Sequence, residues 1–469
     1  YRNLIFPYSN YMKHSKDFSA KKITFLPVET EVRELDYKIM LAGAIAEEGT
    51  ACFVGQHNLL NNLVSNFNGG VYLGKNIFPQ WFPCHTKYYD ALKSQDFSLL
   101  YYHEEGGIWI GAEEHWRGMC AKQIDASILH SDDQILCWGE FQKSFYESLL
   151  PSPEVHNVGV ARFDLAENMN LRKLINATSR VSEDDYILIN TNFAAVNHCL
   201  DFLGWFKPLN IDSRSLKDRT ETMLWYSTTF QVMGYFLEML TKLVDDFPTQ
   251  KFILRPHPTE SIEFYEEFFK SSNNIIITKE FSAPEWIDKC TLLIQNACTT
   301  AIEAHMMNKK VISFYPVKAE EYVNIVSDIG YHATTYEEVR TIVQSISTLP
   351  VDIKDSYKLS PLVKNFNTPE SSIDKLAERA HESLLSKPAN KINLSQIKRQ
   401  AFFYRAILSF KELPKYFLPK KKKNIDMFQS HFPGFQQSEI EQKVKTMNKI
   451  LDKNCKLEHI SKDLFVIYS

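Results

Sequence analysis

The chain has 469 residues, 44% hydrophobic and 23% charged, with a formal net charge of −4. That length exceeds one ordinary domain and implies two domains plus an appendage. The composition excludes a disordered chain, and the small acidic balance gives no general reason to expect nucleic-acid binding.

Lys22–Pro27 reads as a strand, followed by a helix over Glu34–Glu47 with Leu35, Ile39, Ala42 and Ala46 on one face, then a strand at Ala51–Gly55. Leu99–Tyr102, Gln134–Trp138 and Val155–Val160 read as further strands. Short apolar strands alternating with helices are the signature of a parallel sheet. A second series opens with Tyr186–Asn190, an apolar run suited to a strand buried on both faces. A long helix over 220–246 follows, then strands at Lys251–Leu254, Asn274–Thr278, Leu292–Ile294 and Lys310–Phe314. The expected class is α/β with two Rossmann-like domains facing a cleft, over 1–180 and 181–370, and a helical, partly basic extension over 371–469. In that extension, 397–423 carries Phe402, Phe403, Tyr404, Ile407, Leu408 and Phe410 before the run Lys420–Lys423. This pattern fits a helix lying on an anionic membrane surface, and equally a packed helix followed by a solvated charge run.

The eight cysteines are scattered and form no Cys-x-x-Cys pair, which reads as reduced, buried thiols of a cytoplasmic protein. No apolar run reaches the roughly 18 residues of a membrane span. A start at Tyr1 reads as a trimmed short leader, and no signal-peptide pattern follows.

Ligands of open parallel sheets bind beyond the carboxyl ends of the strands, so the residues there are the candidates. After Leu254 comes Arg255-Pro256-His257-Pro258, a turn stiffened by two prolines around one imidazole. After Ile294 comes Cys298-Thr299-Thr300 with Glu303, which fits a helix-start anion site and equally a plain capping box. After Tyr102 comes His103-Glu104-Glu105-Gly106-Gly107, two carboxylates beside glycines, fitting a general base or a polar loop. Glu29 and Arg33 follow the first strand at a helix start. Asn190 and Asn192 follow the first strand of the second domain, and Arg162 follows the turn at Gly159.

In order, Glu104-Glu105-Gly106, His257-Pro258 and Thr299-Thr300 resemble the motifs of bacterial GT-B sialyltransferases, polysialyltransferases and Kdo transferases. The wider set looks more like the surface carbohydrate biosynthesis proteins: Leu26-Pro27-Val28-Glu29, Arg33-Glu34, Trp138-Gly139, Arg162-Phe163-Asp164, Asn190-Thr191-Asn192-Phe193 and Glu303-Ala304. The resemblance spans roughly 22–320 and implies a GT-B fold and a CMP-activated donor such as Kdo or a sialic or other nonulosonic acid. It implies Glu104 as the base for the acceptor hydroxyl, His257 on the departing phosphate, and Thr299 and Thr300 holding that phosphate. The acceptor implied is a cell-surface glycan, lipid-linked or free, with the enzyme in the cytoplasm or at the inner membrane face. No Asp-x-Asp motif stands out, so no obligatory metal and no cofactor are expected. A double displacement needs a carboxylate nucleophile, for which Glu29 or Glu105 serves. The open alternatives are a UDP- or GDP-sugar transferase with Glu303 on the ribose, a teichoic-acid-type polyol-phosphate transferase, a nucleotide-sugar-binding protein, and an epimerase.

Overall fold

The computed structural model describes residues 18–75, 77, 87–104, 113–124, 128–149, 154–207, 211–213, 215–319, 325–351, 361–364, 370–412 and 432–469. Two sheets organise them. The first contains β1 (Phe18–Val28), β2 (Thr50–Gln56), β3 (Gly70–Gly74), β4 (Phe97–Tyr102), β5 (Gln134–Cys137) and β6 (Glu154–Asn157), all mutually parallel. The second contains β7 (Ile187–Asn190), β8 (Phe252–Arg255), β9 (Ile275–Ile277), β10 (Leu292–Gln295), β11 (Lys310–Phe314) and β12 (Tyr331–Ala333), again parallel throughout. Strands such as Ile187-Leu188-Ile189 carry apolar side chains on both faces because helices cover both sides. The α/β class with two Rossmann-like sheets is therefore what the chain adopts.

The segment beyond 371 has the expected helices, Ser372–Leu385, Leu394–Glu412 and Gln437–Leu451, and also three strands that the helical reading lacked. β13 (Asn390–Ile392) pairs antiparallel with the start of β1. β14 (Lys456–Ser461) and β15 (Leu464–Tyr468) form a hairpin that adds antiparallel to β2. The first sheet thus runs β14-β15-β2-β1-β3-β4-β5-β6. Leu464–Tyr468 is an unbroken apolar run of only five residues, too short to stand out at the end of a segment of helical pattern.

Helix α1 (Glu31–Ile45) packs against the helices Ser372–Leu385 and Gln437–Leu451. It begins three residues before its expected start because the Glu34 carboxylate accepts the Glu29 N–H at 2.9 Å and the Thr30 N–H at 3.4 Å, closing the first turn. One hydrophobic cluster runs from α1 and Trp138 through Phe163 into Leu188 and Leu293 of the second sheet and Ile302 of the helix Thr300–Met306, so the two units share a core. The chain returns to the first unit at 361–364, where Lys364 N–H bonds the Trp138 carbonyl at 2.8 Å. Gly139 is required there: a Cβ would lie 2.4 Å from the Leu362 backbone. The seven described cysteines are all free thiols.

Candidate functional site

The six-stranded sheet has the order β9-β8-β7-β10-β11-β12, in which the direction of crossover reverses between β7 and β10. Loops leaving adjacent strands to opposite faces open a crevice at that point. Asn190 ends β7 and Gln295 ends β10. The Asn190 amide donates to Thr300 Oγ1 at 2.9 Å, and Thr300 Oγ1 donates to Cys298 Sγ at 3.0 Å. Asn192 donates to the Ala297 carbonyl at 2.9 Å. The turn at Ala297 has a φ of +50°, held by the Tyr315 hydroxyl accepting the Ala297 N–H at 2.8 Å. Asn190 Oδ1 is buried and has no hydrogen-bond partner among the described residues.

The capping-box reading of Thr300 and Glu303 is not what forms. Thr299 is the N-cap of the short helix Thr300–Met306 and makes no side-chain cap bond, while the Thr300 hydroxyl is committed to Asn190 and Cys298. Glu303 is buried in that helix near Arg255. The Arg255 guanidinium donates to the Phe281 carbonyl at 2.7 Å. Burial pushes its pKa down to about 10, against the pull of Cys298, Glu285 and Glu303, so it remains a cation near neutrality.

The His257 turn follows β8. His257 Nδ1 lies 2.9 Å from Thr259 Oγ1 and 3.3 Å from the Thr259 N–H. A backbone N–H can only donate, so Nδ1 accepts and the neutral ring carries its proton on Nε2. Sequence reasoning assigned no role to Glu260, which organises this region. It is fully buried and accepts from the His257 N–H at 3.1 Å, the Phe193 N–H at 2.9 Å, Thr191 Oγ1 at 3.0 Å and the Tyr265 hydroxyl at 2.5 Å. Burial pushes its pKa up, and these donors oppose the rise. Glu260 therefore locks the Asn190–Phe193 loop to the His257 turn. Pro258 contributes its carbonyl, which accepts Lys279 Nζ at 3.0 Å.

In the first sheet the crossover reverses between β1 and β3. Glu29, just beyond β1, pairs there with Lys75, just beyond β3, at 2.9 Å. Glu104, two residues after β4, is almost wholly buried. Its Oε1 accepts from Lys38 Nζ at 2.8 Å and from the Tyr37 hydroxyl at 3.0 Å, while Oε2 makes no hydrogen bond among the described residues. Lys38 also donates to the Pro27 carbonyl and lies 3.6 Å from Glu34. Neither Lys38 nor Tyr37 was legible as a site residue; the only hint is a lysine set directly before the apolar run Ile39–Ile45. Glu105, Gly106 and Gly107 lie outside the described residues, as does Lys420–Lys423.

Arg162 stacks its guanidinium over Phe163, 4.9 Å from the ring centroid, and over Trp138 at 5.8 Å. Trp138 Nε1 donates to the His103 carbonyl at 2.8 Å, tying that aromatic platform to the Glu104 loop. Arg33, in the first turn of α1, acts electrostatically on Cys298 of the other unit. Asp36 acts likewise on Glu285. The start of α1 therefore lies within electrostatic reach of the loop that follows β10 and of the helix before it. The geometry brings together Glu29, Arg33 and Glu104 on one side, and Asn190, Asn192, Arg255, Thr300 and Glu303 on the other, with His257 and Pro258 joined to the second group through Glu260.

No protein-family model matches the chain, and no curated protein matches it. Among solved structures, it is similar to a Methanocaldococcus jannaschii UDP-GlcNAc 2-epimerase bound to UDP-GlcNAc and UDP. The identity is 12% over 77% of this chain and 99% of that one, at a TM-score of 0.43. It is also similar to the wall teichoic acid polymerase TagF, with 10% identity over 78% of this chain and 89% of that one and a TM-score of 0.41. A third is the S. aureus MnaA–UDP co-structure, with 12% identity over 79% and 100% and a TM-score of 0.41. Likenesses this distant assign no activity.

Proposed function

We propose that this chain is a glycosyltransferase that moves a sugar from a CMP-activated donor, a 2-keto-3-deoxy sugar acid such as Kdo or a nonulosonic acid, to a hydroxyl of a cell-surface glycan. The observation that carries the reading is the opposition of two polar strand-end clusters around α1. One holds a buried carboxylate, Glu104, with one oxygen committed to Lys38 and Tyr37 and the other without a hydrogen bond among the described residues. The other holds a cation, Arg255, and an imidazole with its proton on Nε2, beside a switch-point crevice of the kind that takes nucleotides.

In this reading the acceptor hydroxyl attacks the anomeric carbon and passes its proton to Glu104 Oε2. The bond from that carbon to the phosphate oxygen breaks, and CMP departs with the electron pair. Charge grows on the phosphate as the bond lengthens. His257 Nε2–H, Arg255 and the Thr299 hydroxyl meet it, joined by the Thr300 hydroxyl as it gives up its bond to Cys298, and Arg33 meets the sugar carboxylate. Glu29 lines the acceptor side through its pair with Lys75, and no divalent ion takes part. Residues of the Leu394–Glu412 helix place the enzyme at the cytoplasmic membrane face, a reading supported by the exposure of Phe402, Phe403 and Ile407.

The test is a donor panel. The protein is incubated with CMP-Kdo, CMP-nonulosonates, a UDP-sugar, a GDP-sugar and CDP-glycerol, and nucleotide release is measured beside thermal stabilisation by CMP, UDP and GDP. CMP release and stabilisation by CMP are expected. Stabilisation by UDP without any by CMP sinks the donor assignment.

A further inference from the structure

The helix Leu216–Asp246 covers the outer face of the second sheet with Val232, Met233, Phe236, Leu240 and Leu243. Its opposite face is not that of an ordinary surface helix. From Thr222 to Leu237, sixteen consecutive residues carry no charge. A solvated helix face is normally charged. Here Leu216, Met223, Leu224, Phe230 and Tyr235 stand out into solvent, Leu216 at 81% and Phe230 at 53% exposure. Met223, Ser227, Phe230 and Gly234 follow the i, i+4, i+7, i+11 spacing and so share one stripe. The short helix Asp201–Phe206 widens it: Phe202 packs edge-on against Tyr226 at 5.4 Å, one turn from Met223 and Phe230, and leaves Leu203 exposed.

Gly234 is a second, separate observation. It sits in the exposed middle of a 31-residue helix, where glycine is the least favourable residue short of proline. Nothing among the described residues explains it, since a Cβ there would meet none of their atoms within 4 Å. A glycine on an apolar helix stripe lets a second backbone come close.

We propose that this stripe is the interface between two copies of the chain, joined by antiparallel crossing of their Leu216–Asp246 helices about a two-fold axis near Ser227–Phe230. Two-fold crossing there brings Phe230 of each copy beside Ser227 of the other and Met223 against the Gly234 gap, a self-complementary knob and hole. The exposed apolar residues from Phe202 to Tyr235 extend over about 28 Å of helix. They offer on the order of 700 Å², close to the ~800 Å² each partner brings to a standard interface. The flanking charges discriminate against a lipid surface. Lys217, Asp218, Arg219 and Glu221 precede the stripe, and Glu238, Lys242, Asp245 and Asp246 follow it, so the flanks are acidic on balance. An interfacial helix on an anionic membrane needs a basic border. Mixed signs at both ends suit a copy running the other way.

The test is sedimentation velocity on the full chain from about 1 to 50 μM, a range that brackets ordinary dimer affinities. Phe230→Asp and Gly234→Leu variants are run beside it, with far-UV circular dichroism to confirm folding. Ser227→Cys adds a trap, because a cysteine beside the two-fold axis crosslinks to its own mate. A dimer is expected in the parent, a monomer with unchanged ellipticity in Phe230→Asp and Gly234→Leu, and a covalent dimer in Ser227→Cys under mild oxidant. A parent that stays monomeric overturns the proposal, as does a dimer that survives both substitutions. Flotation with neutral or anionic vesicles that is lost in Phe230→Asp, from a monomeric parent, assigns the stripe to lipid instead.

Discussion

Lys38→Met tests the buried charge network most directly. Lys38 is wholly buried and sits between two carboxylates, Glu104 at 2.8 Å and Glu34 at 3.6 Å. Methionine keeps most of the volume and removes the charge. The variant then holds two buried carboxylates with no cation between them. Removing one partner of a buried pair costs about 3–5 kcal/mol, which lowers Tm by roughly 6–20 °C for a unit of this size. The pH dependence carries a sign. Burial already pushes Glu34 up to about 7 from the usual 4.5, and the nearby Glu104 charge adds to the rise. A carboxyl raised in the folded state holds a proton that the unfolded state releases, so its contribution is present below the unfolded value and is lost as pH rises through the folded one. Without Lys38 that window moves higher still. The destabilisation should therefore be greatest near pH 8 and smaller by at least about 1 kcal/mol near pH 5.5, where Glu34 is protonated. Urea unfolding at both pH values measures it, and adding Glu34→Gln to Lys38→Met should restore much of the loss. A cost under about 1 kcal/mol, the value of a surface pair, or a cost equal at both pH values, would refute the reasoning.

Glu104→Gln should reduce turnover about 10²–10⁴-fold with CMP binding little changed, read by CMP release with the productive donor, and should lower Tm less than Lys38→Met because Lys38 keeps Glu34. His257→Ala should lower kcat by roughly 10²–10³-fold, since it removes the Nε2–H donor while Glu260 still holds the turn. Glu260→Gln leaves its donors facing a neutral amide, and loss of charge-assisted bonds should cost about 2 kcal/mol and raise the donor KM more than it lowers kcat. Activity should survive dialysis against EDTA; loss reversed only by a divalent cation contradicts the metal-free reading.

The second sheet was largely legible because its strands are buried on both faces and therefore read as unbroken apolar runs, as in Tyr186–Asn190 and Lys251–Leu254. Three residues, Tyr331–Ala333, were too few to register as β12. β3 was missed because Gly-Val-Tyr-Leu-Gly gives a three-residue apolar core between glycines, where a turn is the commoner outcome. Strand-end placement picked out Asn190, Arg255, His257 and Thr300, which stand at the ends of β7 and β8, in the turn after β8 and at the start of the helix after β10. It did not find Glu260 or Lys38. Both are charged residues whose importance lies in burial, and burial of a charge depends on partners 60 or more residues away, such as Thr191 for Glu260 and Glu104 for Lys38. The capping box at Thr300 failed for a similar reason: a local pattern was outcompeted by the Asn190 amide from another strand.

The hairpin β14–β15 gives synthesis of this protein an unusual order. β2 ends at Gln56, yet among the described residues its outer edge is paired by Leu464–Tyr468 alone. At ribosomal rates of about 5–20 residues per second, that edge waits roughly 20–80 s for its mate. The sheet from β7 to β12 needs only residues 187–333 and can close during the wait. The nascent chain therefore carries a finished downstream unit beside an upstream sheet whose β2 backbone groups are open to any passing strand. Shortening the chain before Leu464 would turn that delay into a permanent state, and such fragments should aggregate rather than behave as a separable first domain.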